Sequence, residues 1–298
     1  MIKLNNHEIK FKTFPNGESF ADIEKFVVEP TNRSNVIFFK FEDDKDIFNL
    51  MCVKDYVDEH WFNMPCHLIM PYIPYSRMDR QEENRLFTLK TFAKFINSMN
   101  FSSVTVWEPH SEVAPALIDR IHVINKTAQL ALLAMGNEVN VIWGGDKGSL
   151  SSLSDTNYIF PKGEEKGIYF VYPDAGAEKR YTKQLKYPKV LTCSKNRDFN
   201  TGNIQSITLN GAENAQDCKV AIIIDDISSR GGTFVGCASE LRKYLPNLEK
   251  VILCVAHCEN AIYDGVVLTG TDIDKVYTTD SILDERTGFE DKMEVIKT

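Results

Sequence analysis

The sequence predicts an α/β fold, because short apolar runs of strand length alternate with segments of helical period. This alternation is typical of parallel sheets joined by crossover helices. It occurs in both halves of the chain. We therefore expect two tandem domains, each with a mainly parallel sheet flanked by helices.

The predicted strands are rich in β-branched and aromatic residues, which favour extended structure. In chain order they are NVIFFKF, CHLIMPY, SVTVW, GIYFVY, KVLTC, KVAIIID, KVILCVA and KVYTT. Two segments between them predict amphipathic helices, because their apolar side chains recur every three or four residues. These apolar stripes contain Leu89, Phe92, Phe95, Ile96 and Met99 in TLKTFAKFINSM, and Phe234, Cys237, Leu241 and Leu245 in TFVGCASELRKYL.

The domain boundary is predicted near residues 125 to 150. The polar stretch GGDKGSLSSLSDTN, residues 144 to 157, fits neither the strand period nor the helix period. We expect an N-terminal domain over 1–130 and a C-terminal domain over 131–280. A C-terminal segment, 281–298, is expected to return to the N-terminal domain.

Composition limits the class of protein. The chain has 298 residues, of which 43% are hydrophobic, enough for a sizeable core. The formal charge of -8 disfavours binding to nucleic acid, which depends on a surplus of basic groups. Without a membrane-length apolar run or the apolar core of a signal peptide, we expect no membrane partner and a cytoplasmic location. Seven cysteines, mostly within apolar segments, suit reduced thiols.

The stretch VAIIIDDISSRGGT, residues 220 to 233, predicts a ligand site. An apolar strand ends in Asp225 and Asp226, and ligands of parallel sheets bind at the carboxyl ends of strands. The carboxylates suit sugar hydroxyls, directly or through Mg²⁺. The following SSRGGT provides small residues at the start of a helix, where backbone N–H groups attract phosphate. The residues expected to hold a ribose phosphate are Asp225, Asp226, Ser228, Ser229, Arg230, Gly231, Gly232 and Thr233.

The same stretch resembles the ribose-phosphate binding signature of type I phosphoribosyltransferases. Five further segments, in matching order, resemble the ribose-phosphate pyrophosphokinase family, whose chains contain two phosphoribosyltransferase-like domains in tandem. These segments are FPNGE (14–18), PYIPYSRMDRQ (71–81), WEPHS (107–111), VYPDAG (171–176) and CSKNR (193–197). The resemblance implies transfer of the diphosphoryl group of Mg-ATP to a ribosyl hydroxyl, with ATP as co-substrate and Mg²⁺ as cofactor.

The resemblance also implies roles for individual residues. Those expected to bind ATP are Phe14, Asn16, Glu18, Arg77 and Asp79. The FPNGE segment is expected to line the adenine of ATP from a neighbouring subunit. Glu108, His110 and Asp174 are expected to hold metal, and Lys195 and Arg197 to act from a mobile catalytic loop. A homo-oligomer, a dimer or larger, is expected.

The chain departs from the family pattern at the phosphate loop. The family usually has Asp-Thr-x-Gly-Thr, whereas this chain has Ser229, Arg230, Gly231, Gly232 and Thr233. An added guanidinium suits an acceptor with a second phosphate. Ribose 5-phosphate is the default acceptor, and ADP-ribose, whose product would serve NAD synthesis, stays open beside it. A phosphoribosyltransferase and a catalytically silent regulatory homologue are the rival functions.

Overall fold

The computed structural model describes residues 1–24, 28–30, 32–82, 84–139, 167–197 and 204–297. The chain divides into two compact units, Met1–Ile124 and Asn125–Thr298. The division therefore lies before Asn125 rather than after residue 130. The polar stretch 144–157, which predicted the boundary, lies outside the described residues.

The first unit contains a six-stranded sheet in the order β2-β1-β5-β6-β7-β8. Its strands are β1 (Ile2–Leu4), β2 (His7–Glu8), β5 (Asn35–Phe39), β6 (Cys66–Met70), β7 (Ser103–Trp107) and β8 (Ile121–Ile124). Strands β5 to β8 are parallel, and β1 is antiparallel to β5. A separate hairpin consists of β3 (Lys12–Thr13) and β4 (Ser19–Phe20).

Helices of the first unit bury apolar faces in one core with this sheet. They are α1 (Lys45–His60), α2 (Thr88–Ser98) and α3 (Val113–Leu117). On α2, Leu89, Phe92 and Ile96 are buried with Leu68 of β6 and Val106 of β7. Removal of such apolar area from water stabilises the unit, at about 25 cal/mol per Å².

The second unit contains a seven-stranded sheet in the order β11-β10-β9-β12-β13-β14-β15. Its strands are β9 (Ile168–Tyr172), β10 (Val190–Arg197), β11 (Ile204–Asn210), β12 (Val220–Ser228), β13 (Lys250–Cys258), β14 (Lys275–Thr279) and β15 (Met293–Ile296). Only β11 is antiparallel within the described sheet. Its helices are α4 (Lys126–Val139), α5 (Ala175–Leu185), α6 (Gly232–Tyr244) and α7 (Val266–Thr269).

The two faces of the second sheet have separate cores. Alternate residues of β12 point to opposite faces, as the strand period requires. Ile222 and Ile224 pack with α4 and α5, whereas Ala221 and Ile223 pack with α6. The residues after Ile224 therefore extend from the carboxyl end of a strand that is buried on both sides.

The strand order of the second sheet places a topological switch point beside β9. The chain passes from β9 to β10 on one side and later returns to β12 on the other side. Ligand crevices in open α/β sheets form outside the carboxyl ends of strands at such a point. Asp174 follows β9, and Asp225 and Asp226 lie near the carboxyl end of β12, which continues to Ser228 rather than stopping at the acids as the sequence suggested, so both acidic segments border this crevice.

The predicted α/β class, with two mainly parallel sheets flanked by helices, is confirmed, and all eight predicted strands occur. The sequence did not predict the short strands β1 to β4 and β8, or the edge strands β11 and β15. The expected return of 281–298 to the N-terminal domain differs from the structure. Met293–Ile296 instead pairs with β14, where its backbone extends the second sheet.

Candidate active site

The candidate active site of the second unit includes the acid pair near the carboxyl end of β12. Asp226 and the Ser228 side chain are buried, and Asp225 is half-buried. The backbone N–H of Asp226 donates a hydrogen bond to Oδ1 of Asp225 at 3.0 Å. Two carboxylates are thus fixed at the edge of the crevice.

Asp174 supplies a third carboxylate and caps helix α5. Its Oδ1 accepts from the N–H of Ala177 at 3.0 Å, and its Oδ2 accepts from the ammonium of Lys195 at 2.9 Å. Burial alone would raise the pKa of Asp174, but the hydrogen bonds from Ala177, Lys195 and Gly176, together with the charge of Lys195, outweigh burial and lower that pKa. A Cβ at Gly176 would lie 3.1 Å from Oδ1, so the small residue in Pro-Asp-x-Gly leaves room for the carboxylate.

The environment of Asp225 disfavours its charged form. Burial of its carboxyl group, together with repulsion from Asp226 and Asp174, raises the pKa of Asp225 well above that of an ordinary aspartate. A cation bound between these carboxylates would remove the repulsion. The acid pair is therefore built for a positively charged or hydrogen-bond-donating ligand.

Arg180 is a residue of this site that sequence analysis missed. It lies on α5, and its guanidinium is 3.9 Å from Oδ2 of Asp226. The side chains are 21% and 7% exposed, so solvent screens this ion pair little. In the sequence, the only feature that points to Arg180 is its position one to two helical turns after Asp174. Many surface arginines have a similar position after a helix cap.

The phosphate loop lies between β12 and α6. Gly231 has φ +80°, and a Cβ there would lie 2.0 Å from Cγ2 of Val267. Glycine is required on both grounds. The first intrahelical bonds run from the N–H groups of Phe234 and Val235 to the Gly231 carbonyl. The preceding N–H groups of the helix are therefore oriented toward the loop, where they suit an anion.

The other loop residues differ in exposure. Gly232 and Arg230 are exposed, Ser229 and Thr233 are half-buried, and the Ser228 side chain is buried. The Arg230 carbonyl accepts from the N–H of Val266 at 3.1 Å, which fixes the backbone of the loop.

Lys195 and Arg197 lie in an extended strand, which differs from the loop that the sequence suggested. Both are in β10, which pairs antiparallel with β11 and has an irregular register between residues 196 and 197. The Lys195 side chain is 11% exposed and faces Asp174. The Arg197 side chain lies outside the described residues.

In the first unit, the predicted loops follow adjacent strands. The N–H of Trp107 donates to the carbonyl of Pro71 at 3.0 Å, which joins the segment after β6 to the end of β7. Glu108 is 1% exposed and has φ +36°, an uncommon left-handed conformation for a residue with a side chain. His110 is half-buried. Such backbone strain is a frequent feature of functional loops.

The loop after β6 presents the predicted ATP-binding arginine. Arg77 is exposed and Asp79 is half-buried. Tyr75 has φ +62° and its hydroxyl donates to Asp44 at 2.5 Å, which anchors the loop. Burial, and then the bond to Asp44, raise the pKa of Tyr75 to about 12, so the phenol stays protonated.

The segment FPNGE forms the turn of the β3–β4 hairpin. Phe14 is 49% exposed and stacks on Phe20 at 4.3 Å between ring centroids. Asn16 donates to Glu18 at 2.7 Å, and Gly17 has φ +94°. The turn is therefore pre-formed, and an aromatic ring is presented to solvent.

Among the residues that the structure describes, no group of three His, Cys, Asp or Glu side chains is arranged so that it could hold a metal ion by itself. Both Asp174 oxygens already accept hydrogen bonds, whereas Asp225 and Asp226 repel each other. Mg²⁺ in phosphate-transferring sites is commonly held by one or two carboxylates, with substrate phosphates as further ligands. The acid pair fits that kind of partial site.

Known proteins resemble the chain over most of its length, although no family model matches it. It is 27% identical over 282 residues to the ribose-phosphate pyrophosphokinase of Sulfolobus acidocaldarius, covering 92% of this chain and 84% of that protein. It is 26% identical over 291 residues to the Sulfurisphaera tokodaii protein of the same name, with the same shares covered. Over most of its length the chain is therefore similar to ribose-phosphate pyrophosphokinases, as a divergent relative of them.

A solved structure also matches the chain in fold. The phosphoribosylpyrophosphate synthetase of Mycobacterium smegmatis matches with a TM-score of 0.68 at 16% identity, covering 97% of this chain and 86% of that chain. At that identity the match concerns the fold. No helix within the described residues has the length and apolar character needed to cross a membrane.

Proposed function

We propose that the chain transfers the diphosphoryl group of Mg-ATP to the anomeric hydroxyl of ribose 5-phosphate, giving phosphoribosyl pyrophosphate and AMP. The observation that carries this proposal is the meeting of three carboxylates and Lys195 at the switch point of the second sheet. The names of the relatives that align with 92% of the chain support it.

In this reaction the anomeric oxygen bonds to the β-phosphorus while the bond from that phosphorus to the α,β-bridging oxygen breaks. The hydroxyl loses its proton, and AMP leaves. Little covalent chemistry falls to the protein, so its side chains act by positioning and by stabilising charge. When bound, Mg²⁺ would be held by Asp225 and Asp226 and would neutralise phosphate charge.

The residues of the second unit have proposed roles that follow from their contacts. Asp225 and Asp226 orient the ribose hydroxyls, and the N–H groups around Gly232 bind the 5-phosphate. Lys195 is held near the crevice by Asp174 and stabilises the charge that develops on the transferred group. Arg197 is proposed to act with it.

The first unit is proposed to bind ATP. The exposed Arg77 suits the phosphates, and the ring of Phe14 suits an adenine base by stacking. Glu108 and His110 are proposed as metal ligands that act together with the ATP phosphates. The exposed hairpin also supports the proposal of a homo-oligomer, which sedimentation measurements of the purified protein would test.

ADP-ribose is a second candidate acceptor because of Arg230. Its side chain is exposed at the phosphate loop, and the described residues include no ion-pair partner for its guanidinium. A guanidinium so placed suits a second phosphate.

The proposed reaction is tested by incubating the protein with Mg-ATP and ribose 5-phosphate, and in parallel with ADP-ribose. AMP release is followed by chromatography, and the product mass is measured. We expect AMP and a product heavier than the acceptor by one diphosphoryl group. Release of ADP or phosphate without such a product would contradict the proposal.

A further inference from the structure

The ladder between β12 and β13 lacks one rung beside the acid pair. The strands pair from Val220 with Lys250 onward, and Asp225 pairs with Val255. Pairing resumes at Ile227 with His257, but Asp226 and Ala256 do not pair in this described part of the sheet. The interruption therefore lies at Asp226, the second acid of the pair, and not at the end of the strand.

The hydroxyl of Thr127 occupies the gap. The N–H of Ala256 donates to Thr127 Oγ1 at 3.1 Å, and Thr127 Oγ1 donates to the Asp225 carbonyl at 3.1 Å. Thr127 is fully buried and lies in the first turn of α4, which packs on β12 and β13. A side chain of a neighbouring helix thus enters between two strands.

The arrangement replaces a direct backbone bond. Where this ladder begins, the N–H of Lys250 donates to the Lys219 carbonyl at 3.0 Å. The bonds of a parallel pair recur at every second residue, so this pattern, continued along both strands, would let the N–H of Ala256 donate directly to the Asp225 carbonyl. The Thr127 hydroxyl relays this bond instead, because its oxygen accepts from one strand and donates to the other.

This insertion has a consequence for the two carboxylates. In a regular strand, successive side chains point to opposite faces, so adjacent aspartates do not share a ligand. Here the Asp226 N–H turns toward Oδ1 of Asp225, and the two carboxyl groups interact with each other. The two acids therefore interact although they are neighbours along a strand.

We propose that Thr127 is a positioning residue for the acid pair: its hydroxyl holds β12 and β13 apart so that Asp225 and Asp226 converge on one ligand. The identity of that ligand, a ribosyl group or its Mg²⁺, rests on the proposed function. The separation of β12 and β13 by the Thr127 hydroxyl does not depend on the proposed function.

The chain offers a matched control on the other side of Ala256. The carbonyl of Ala256 accepts from Thr279 Oγ1 at 2.7 Å, and Thr279 is 1% exposed. Thr279→Val and Thr127→Val both replace a buried threonine hydroxyl that bonds to Ala256 by a methyl group of similar size. Only Thr127 bonds to Asp225 as well, so a difference between the variants reports on the acid pair.

The experiment compares Thr127→Val, Thr127→Ser and Thr279→Val in the full chain by AMP-release kinetics and crystal structures. We expect Thr127→Val to lower kcat by about tenfold to a hundredfold, as displacements near 1 Å do. Thr127→Ser retains the hydroxyl and should stay within about threefold of the natural protein, as should Thr279→Val. In the Thr127→Val crystal, the Ala256 N–H should bond directly to the Asp225 carbonyl, and the two carboxyl groups should separate.

A natural kcat in Thr127→Val, or an equal loss in Thr279→Val, would overturn the positioning role. An unchanged acid pair in the Thr127→Val crystal would overturn it as well. If Thr127→Val does not fold, Thr127→Ala and Thr127→Ser provide the same contrast of hydroxyl loss and retention. If the natural protein releases no AMP, the proposed function fails, and the crystal comparison still decides whether the hydroxyl separates the strands.

Discussion

The ammonium of Lys195 lies 2.9 Å from Oδ2 of Asp174, so a salt bridge joins β10 to the residue that caps α5. The lysine side chain is 11% exposed, whereas that of the aspartate is 41% exposed. The positive charge is therefore held at the crevice by a partner that solvent still reaches. Such a lysine can leave its partner for phosphate oxygens when a more strongly charged ligand arrives.

Lys195→Ala tests this role. We expect kcat to fall by two or more orders of magnitude with a smaller change in the KM for ATP, because the interaction strengthens only in the transition state. Lys189→Ala is the control, since Lys189 pairs with Asp217 at 2.8 Å just before β10 begins. Its kinetics should be close to those of the natural protein. Steady-state AMP release measures both, and unchanged turnover in Lys195→Ala would contradict the assignment.

The Asp225→Asn variant should be more stable than the natural protein at neutral pH but inactive. Because folding raises the pKa of Asp225, the ionised carboxylate opposes folding, and stability falls as pH rises from about 3.8 through the raised pKa. The amide removes this effect, so the variant without ligands should melt later than the natural protein, by about 2–4 °C for each kcal/mol gained. The gain should be complete above the raised pKa and absent below about pH 3.8.

Calorimetry across this pH range checks the prediction, and the same variant should lose AMP release. Asp217→Asn is the control with the opposite sign. Hydrogen bonds from Lys189 and Tyr169 lower the pKa of Asp217, so its ionised form favours folding. That variant should melt at the natural temperature or slightly lower. A lower midpoint for Asp225→Asn at neutral pH would show that the carboxylate is not under strain.

The sequence predicted the residues whose chemistry is local. The apolar run that ends in Asp225 and Asp226, and the Pro-Asp-x-Gly segment around Asp174, each show strand, acid and turn within a few residues. Parallel strands place such segments at the same sheet edge. Their approach to one crevice was therefore predictable from strand order, before any distance was known.

The remaining features of the site could not be predicted, because they depend on which residues of distant segments lie side by side in the fold. Thr127 bonds to Asp225 across 98 positions of the chain and to Ala256 across 129. No local pattern distinguishes its hydroxyl from that of any helix-cap threonine. The extended form of the CSKNR segment was also missed, because β11 supplies its hydrogen bonds from outside the segment.

Mg²⁺ should be required for turnover. The carboxylates of the crevice repel a triphosphate, and the acid pair fits a cation shared with substrate phosphates. We expect excess EDTA to abolish AMP formation and added Mg²⁺ to restore it. Circular dichroism recorded in EDTA serves as the control, since the fold should persist. Undiminished turnover in EDTA would contradict the proposed role of the acid pair.

Arg230 should set the choice of acceptor if it binds a second phosphate. A charge-assisted hydrogen bond contributes about 1.5–3 kcal/mol, or roughly tenfold to a hundredfold in specificity. We expect the ratio of kcat/KM for ADP-ribose to that for ribose 5-phosphate to fall by this factor in Arg230→Thr. Arg230→Lys keeps the charge without the bidentate geometry and should be intermediate. An unchanged ratio in both variants leaves ribose 5-phosphate as the acceptor.

Two neighbouring glycines of the phosphate loop should respond differently to the same substitution. Gly231 has φ +80°, and a Cβ there would lie 2.0 Å from Val267, whereas a Cβ at Gly232 would meet nothing within 4 Å. Gly231→Ala should therefore cost about 1–3 kcal/mol of stability from backbone strain and overpacking. Gly232→Ala should leave the thermal midpoint nearly unchanged, because the added methyl group faces open space.

Substrate binding, in contrast to stability, should be sensitive to the substitution at Gly232. If the 5-phosphate binds against the backbone at Gly232, a methyl group there occupies the space of a phosphate oxygen, and the KM for ribose 5-phosphate should rise markedly. The KM for ATP should change little, which is the internal control for a local effect. Calorimetry and AMP-release kinetics of the purified variants give the two readouts. A Gly232→Ala enzyme with natural KM values for both substrates would show that the phosphate binds elsewhere, while the strain argument for Gly231 would stand on the calorimetry alone.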